Sequence, residues 1–144
     1  MTASPNQAIA QANPCASKNP CASKGGNVGG PLAKQLQGKP VVVDIYASWC
    51  TACKNIAPTL SQVKQQYAGK AHFVVLDVSD QSKASQAESR AKQLGLERFF
   101  AQNKAQTGTV AIINPATGEI LAQYRNNADL AAYTSVLNSA IARQ

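Results

Sequence analysis

Two cysteines separated by two residues, Cys50 and Cys53, are the side chains of this sequence best suited to covalent chemistry. They follow an apolar run, Val41 to Tyr46, and open a segment with helical spacing. On the first turn of a helix, positions i and i+3 share a face and lie close enough for a disulfide. A thiolate at the first position would meet unpaired N–H groups and the positive end of the helix dipole, which lower a thiol pKa. The pattern therefore favours a redox dithiol, with Cys50 as nucleophile and Cys53 as resolving thiol.

The other two cysteines leave a metal-binding alternative open. Cys15 and Cys21 belong to an unchanged repeat of Asn-Pro-Cys-Ala-Ser-Lys over residues 13–18 and 19–24. A Cys-x-x-Cys pair also occurs as half of a zinc site, although such a site usually needs a second pair at a suitable spacing. Thiolates also suit Cu(I). A metal-binding or metal-delivery module that uses Cys50 and Cys53 is therefore the alternative function. We assign no metal ligand from the sequence, and an inactive interaction domain is a third hypothesis.

Composition indicates one folded domain behind a low-complexity arm. The chain has 144 residues, of which 44% are hydrophobic, and this suits a single small domain. Residues 1–30 are rich in Ala, Asn, Gln, Ser, Pro and Gly, which is typical of a disordered arm, and residues 31–144 form the expected domain. The net charge of +7 comes from scattered lysines, so we expect no nucleic-acid partner.

The compartment is predicted from the arm. No apolar run is long enough to span a membrane, and no secretory signal is visible at the start of the sequence. Cysteines on a mobile arm would oxidise readily outside the cytoplasm, and an arm before a redox domain suits an exported protein. We therefore expect an extracytoplasmic protein, in the periplasm or its equivalent, and a membrane tether could precede this sequence. A cytoplasmic location is the alternative.

Apolar periodicity predicts the elements that position the cysteines. Strands are expected at Val41 to Tyr46, at His72 to Val78 and in a hairpin whose strands are Thr109 to Ile113 and Ile120 to Arg125. Helices are expected near residues 50–67, 82–94, 96–103 and 130–141, after a short helical lead-in at residues 32–36. Pro58 should kink the first long helix, since proline removes one backbone hydrogen bond.

Several motifs together resemble the thioredoxin-like family, and the resemblance covers roughly residues 32–141. The motifs are Asp44 within the first strand, Trp49-Cys50-x-x-Cys53-Lys54 at the turn, and Ile56-Ala57-Pro58 in the helix. The resemblance implies an α/β fold of three layers, in which helices flank a central mixed four-stranded sheet. The family's usual additional first strand is not evident here.

The resemblance also implies roles for residues around the dithiol. Asp44 aligns with a buried carboxylate that moves a proton to or from the resolving cysteine, and burial would raise its pKa toward neutrality. Val75 stands where the family has a lysine near that carboxylate. Trp49 is expected to shield Cys50 and to contact substrate. Gly108 and Thr109 are expected at the substrate groove, and Thr109 stands where the family has a cis-proline.

The implied activity is thiol-disulfide exchange with protein partners. The resemblance implies a protein-disulfide oxidoreductase that needs no cofactor beyond the Cys50–Cys53 disulfide. Thr51 and Ala52 separate the cysteines and include no histidine, so we expect a reducing or intermediate potential. The partners would be protein disulfides and an upstream electron donor, and we expect a monomer.

Overall fold

The computed structural model describes residues 26–143 of the chain, and the repeat that contains Cys15 and Cys21 lies outside this range. A short 3-10 helix at Lys34–Leu36 precedes four strands and four helices. In chain order they are β1 (Val41–Tyr46), α1 (Thr51–Gln66), β2 (His72–Asp77), α2 (Gln81–Leu94), α3 (Glu97–Asn103), β3 (Thr109–Asn114), β4 (Glu119–Arg125) and α4 (Leu130–Ala142). Within the described range, no helix is both long and apolar enough to cross a bilayer.

The sheet has the order β2-β1-β3-β4, and it combines parallel and antiparallel pairs. β1 and β2 run parallel, with Asp44 opposite Val75, whereas β3 runs antiparallel to both β1 and β4. The predicted mixed four-stranded sheet flanked by helices is therefore confirmed. The observed ends of β1 to β4 and of α2 to α4 agree with the sequence-based bounds to within one or two residues.

Residues of β1 alternate between two hydrophobic layers, as the period of a strand requires. Val41, Val43 and Ile45 are fully buried in one layer, together with Phe99 and Leu94 of the helices on that side. The opposite face of β1 carries Val42, which packs in the layer of α1 and α4 with residues such as Ile56, Val63, Tyr133 and Leu137. Asp44 follows Val42 on this second face, so its carboxylate points toward α1 rather than into the layer of α2 and α3.

Residues 26–28, which precede the predicted domain boundary at residue 30, contact the sheet. The Val28 side chain is 3% exposed, and the Val28 N–H donates to the Gly118 carbonyl at 2.9 Å. The Ile120 N–H donates to the Gly26 carbonyl at 2.9 Å, and Asn27 forms an antiparallel bridge with Glu119. Residues 26–28 therefore pair with the beginning of β4. The expectation of an unpacked arm remains a prediction for residues 1–25 alone.

Candidate active site

The cysteine pair lies where β1 passes into α1. Cys50 is the N-cap residue of α1, and its Sγ accepts a hydrogen bond from the Cys53 backbone N–H at 3.0 Å. Both residues are free thiols and are buried. The Cys53 thiol faces the Ile45 carbonyl, with 3.8 Å between Sγ and O. Cys50 therefore lies at the electropositive end of the helix, while Cys53 lies on the strand side of the same turn.

The two thiols have pKa values that move in opposite directions. Burial raises the pKa of the Cys50 thiol, but hydrogen bonds from the Cys53 thiol, the Thr107 hydroxyl and the N–H groups of Cys53 and Ala52 lower it below the ordinary value of 9.0. Burial and the hydrogen bond with Cys50 raise the pKa of Cys53 to about 11. At neutral pH the thiolate therefore forms preferentially on Cys50, and Cys53 must lose its proton to some other group before it can react.

Trp49 lies beside the cysteines with its orientation fixed by the loop after β2. Its side chain is 62% exposed, and its indole Nε1–H donates to the Ser79 carbonyl at 2.9 Å. The Ser79 hydroxyl in turn donates to Asp77 Oδ1 at 2.5 Å and accepts from the Ser48 N–H at 2.8 Å. An exposed aromatic residue held in one orientation offers a flat apolar surface next to Cys50.

Gly108 lies against the cysteine turn. A Cβ atom at Gly108 would stand 2.7 Å from the Ala52 Cβ, and the Gly108 N–H donates to the Ile45 carbonyl at 2.8 Å. Thr109 is 2% exposed and begins β3, where it pairs with Arg125. The expected place of Thr109 at the substrate groove stays a prediction. All peptide bonds in the described range are trans.

Asp44 lies behind the cysteine turn and lines a cavity between β1, β2 and α1. The cavity has a volume of about 350 Å³, and Cys53 also lines it. Within the described residues, the buried Asp44 Oδ1 accepts no hydrogen bond. Burial raises the pKa of Asp44 to about 6, although the positive charge of Lys64 opposes that rise. Asp44 is therefore suited to exchange protons near neutral pH, and the cavity connects it to the resolving thiol.

The structure adds two residues that the sequence analysis did not single out. Thr107 supplies the hydroxyl that hydrogen-bonds Cys50, and no local pattern distinguishes it from other threonines in loops. Lys64 lines the cavity of Asp44, and helical periodicity could have shown this. Starting from Cys53 on α1, Lys64 follows after about three full turns and so lies on the same face.

Within the described residues, no three side chains of His, Cys, Asp or Glu converge in a way that could hold a metal ion. The cysteine pair and Asp44 belong to the same region, but they do not form such a group. Metal delivery through Cys50 and Cys53 therefore stays a prediction.

Comparisons with known proteins agree with this geometry. The sequence pattern of the thioredoxin family matches residues 31–107, which is more than half of the chain. Thioredoxin-1 of Saccharomyces cerevisiae is 38% identical over 80 residues, which cover 56% of this chain and 75% of that protein. The thiol:disulfide interchange protein TxlA homologue of Synechocystis sp. is 43% identical over 51 residues, which cover 35% of this chain and only 28% of that longer protein.

A solved structure supports the fold. MTB DsbF, determined in mixed oxidised and reduced forms, has a TM-score of 0.53 at 22% identity, covering 74% of this chain and 84% of that one. At this identity the likeness establishes the shared architecture alone. The family match and the yeast relative carry the assignment, and this chain belongs to the thioredoxin family.

Proposed function

We propose that this protein reduces disulfides of other proteins, with Cys50 as nucleophile and Cys53 as resolving thiol. The observation that carries the assignment is the position of Cys50 as N-cap of α1, where its Sγ accepts the Cys53 N–H at 3.0 Å. Backbone N–H groups at a helix N-terminus stabilise a thiolate, which is the attacking species. At Cys53 the backbone hydrogen bond from Ala47 lowers the pKa, but the larger effects of burial and of the hydrogen bond with Cys50 raise it, and the thiol faces the Ile45 carbonyl.

The reaction balances in two exchanges. The Cys50 thiolate attacks one sulfur of the partner disulfide, so that a mixed disulfide forms and the other partner sulfur leaves and takes up a proton. Cys53 then gives its proton to the Asp44 carboxylate and attacks the Cys50 sulfur. The second partner sulfur leaves, and the Cys50–Cys53 disulfide forms. The partner gains two electrons, and an upstream dithiol donor must return two electrons to the protein.

Residues around the cysteine turn support a role in binding the partner protein and a reducing direction of the reaction. The exposed Trp49 ring and the backbone at Gly108 flank the cysteine turn, so a partner segment would lie against both. Thr109 is buried at the start of β3, directly after Gly108, and we propose that it shapes the same groove. The absence of a histidine between the cysteines favours a reducing direction, because no imidazolium stabilises the Cys50 thiolate.

We also propose an extracytoplasmic location, on the basis of the low-complexity segment and its repeated cysteines. Cell fractionation, combined with labelling by a thiol reagent that does not cross membranes, tests this. Recovery of unlabelled, fully reduced protein from the cytoplasm alone would contradict it.

The test of the function uses Cys50→Ser and Cys53→Ser in a Cys15→Ser/Cys21→Ser background, so that the four thiols do not confuse the result. Cys50→Ser should abolish insulin disulfide reduction, whereas Cys53→Ser should accumulate mixed disulfides, because only the resolving step is lost. Equilibration with glutathione then measures the direction. Retained turnover in Cys50→Ser would contradict the mechanism. Stoichiometric Cu(I) or Zn(II) binding by the reduced background protein, without reductase activity, would favour metal delivery instead.

A further inference from the structure

The cavity that joins Asp44 to Cys53 contains a cation in a place that the family resemblance does not explain. Val75 pairs with Asp44 across β1 and β2, so the position where the family has a lysine is apolar here. Among the described residues that line the cavity, Lys64 is the one that is positively charged. It comes from α1, on the opposite side of the cavity from Val75.

The spacing of residues along α1 places Lys64 on the face of the helix that lines the cavity of Asp44. Five residues of this helix line the cavity. Besides Ser61 they are Cys53, Ala57, Leu60 and Lys64, which follow one another at intervals of four, three and four and so lie along one stripe. Side chains on a helix tilt toward its N-terminus. Lys64 is exposed near the end of α1 and lines the same cavity as Cys53, so a lysine there can reach back along the stripe with its ammonium group in water.

The other polar groups of the cavity do not replace this cation. Asp77 lines the cavity from β2, but its Oδ1 accepts hydrogen bonds from the N–H and the hydroxyl of Ser79. Tyr46 lines it from β1 and is not a cation. Tyr133 of α4 is near enough for the negative charge of Asp44 to help raise its pKa, after the larger effect of burial. Among the described residues that line the cavity, Asp77 is therefore the second carboxylate, and Lys64 is the cation.

We propose that Lys64 is the cationic partner of Asp44 and a positioning residue for proton transfer between Asp44 and Cys53. Lys64 supplies this positive charge from α1, because Val75, the residue of β2 that pairs with Asp44, has no charge. Because Asp44 Oδ1 has no hydrogen-bond partner among the described residues and the cavity of about 350 Å³ has room for several water molecules, the interaction can run through water rather than direct contact. This inference rests on the proposed role of Asp44 in the resolving step.

The electrostatic part is tested by titrating Asp44 in the reduced protein, using the NMR shift of its carboxyl carbon. Lys64→Met should raise the Asp44 midpoint, and Lys64→Arg should restore it. The control is Lys70→Met, which removes one positive charge from the exposed turn beyond α1, outside the cavity. An unchanged midpoint in Lys64→Met, or an equal rise in Lys70→Met, would overturn the proposal.

The catalytic part is tested on the resolving step alone. A small aromatic disulfide that releases a coloured thiolate first forms a mixed disulfide with Cys50, and attack by Cys53 then releases the second thiolate. In Lys64→Met this second release should be roughly threefold slower on the acid side of its pH profile, as the loss of one screened charge at the same cavity would produce. Lys70→Met should retain the wild-type profile, and Lys64→Met should add nothing in an Asp44→Asn background.

Failure of the proposed role of Asp44 and failure of the proposed role of Lys64 would give different results. If the Asp44 midpoint moves in Lys64→Met while the resolving profile does not, and Asp44→Asn also leaves that profile unchanged, the role of Asp44 in the proposed function is wrong and the proton-transfer role of Lys64 falls with it. If Asp44→Asn slows resolution but Lys64→Met does not, the proposed function stands and the role of Lys64 is overturned.

Discussion

Gly108 approaches Ala52 so closely that a Cβ atom at Gly108 would stand 2.7 Å from the Ala52 Cβ. Real Cβ atoms do not come so near to one another, and Gly108 also has a φ of +90°, which other residues rarely adopt. Glycine is therefore required here for two independent reasons, and one of them is contact with the residue between the cysteines.

The first prediction separates these two reasons. Gly108→Ala should destabilise the protein by about 1–2 kcal/mol for the positive φ and by about 1–3 kcal/mol more for the clash. The control is Gly38→Ala, because Gly38 has a similar φ of +95° with no atom within 4 Å of its Cβ position. Denaturant unfolding measures both, and Ala52→Gly combined with Gly108→Ala should recover the clash component. Equal losses in Gly38→Ala and Gly108→Ala would show that the contact with Ala52 has no energetic effect.

The second prediction concerns the hydroxyl of Thr107. Because its hydrogen bond lowers the pKa of Cys50, Thr107→Val should raise that pKa while keeping the shape of the side chain. The pH dependence of the alkylation rate of Cys50 measures this in a Cys15→Ser/Cys21→Ser background. Thr117→Val, on the hairpin turn, is the matched control. A Cys50 pKa that does not rise in Thr107→Val would contradict the hydrogen bond.

The third prediction is a loss of stability as the pH rises. Burial raises the pKa of Asp44 from its ordinary value of 3.8 to about 6, so the folded protein binds this proton more tightly than the unfolded chain does. The contribution is complete below the unfolded value and is lost as the pH increases to the folded one, with a size of at most about 3 kcal/mol. Asp44→Asn should therefore be more stable than the wild type at pH 7 and should show a flatter profile. Urea unfolding across this range checks it, and a wild type that gains stability relative to Asp44→Asn with rising pH would contradict it.

The fourth prediction compares two truncations. Deletion of residues 1–25 should leave the melting temperature nearly unchanged, because that segment has little apolar surface to bury. Deletion of residues 1–30 should lower it, because Val28 is 3% exposed and bonded to Gly118. Loss of a buried valine and two backbone hydrogen bonds is expected to cost about 2–4 kcal/mol. Identical melting temperatures for the two truncations would show that residues 26–30 contribute nothing.

Strands and helices with a clear pattern of apolar residues could be predicted from the sequence, and so could the cysteine pair. β1 and α2 each contain a repeated pattern of buried residues that specifies type and position together. The Cys50–Cys53 spacing likewise specifies its own geometry, since one helical turn fixes the separation.

Relations between distant segments could not be predicted in the same way. The pairing of Asp44 with Val110 sets which residues at the start of β3 approach the cysteine turn, and the apolar pattern of the two strands does not specify this register. The hydrogen bond between Thr107 and Cys50 depends on the same strand register. Residues 26–30 were assigned to the arm because Val28 is a single apolar residue among glycines, and only its contact with the hairpin reveals that it is buried.

The pairing of residues 26–28 with β4 also bears on how the protein behaves in concentrated solution. β4 is an outer strand of the sheet, and an outer strand with free N–H and C=O groups can recruit the same strand of another molecule. The hydrogen bonds between Gly26 and Ile120 and between Val28 and Gly118 occupy the first part of that edge. A chain shortened past Val28 would therefore lose its protection against self-association as well as stability. We expect such a chain to become less soluble even under conditions in which it remains folded.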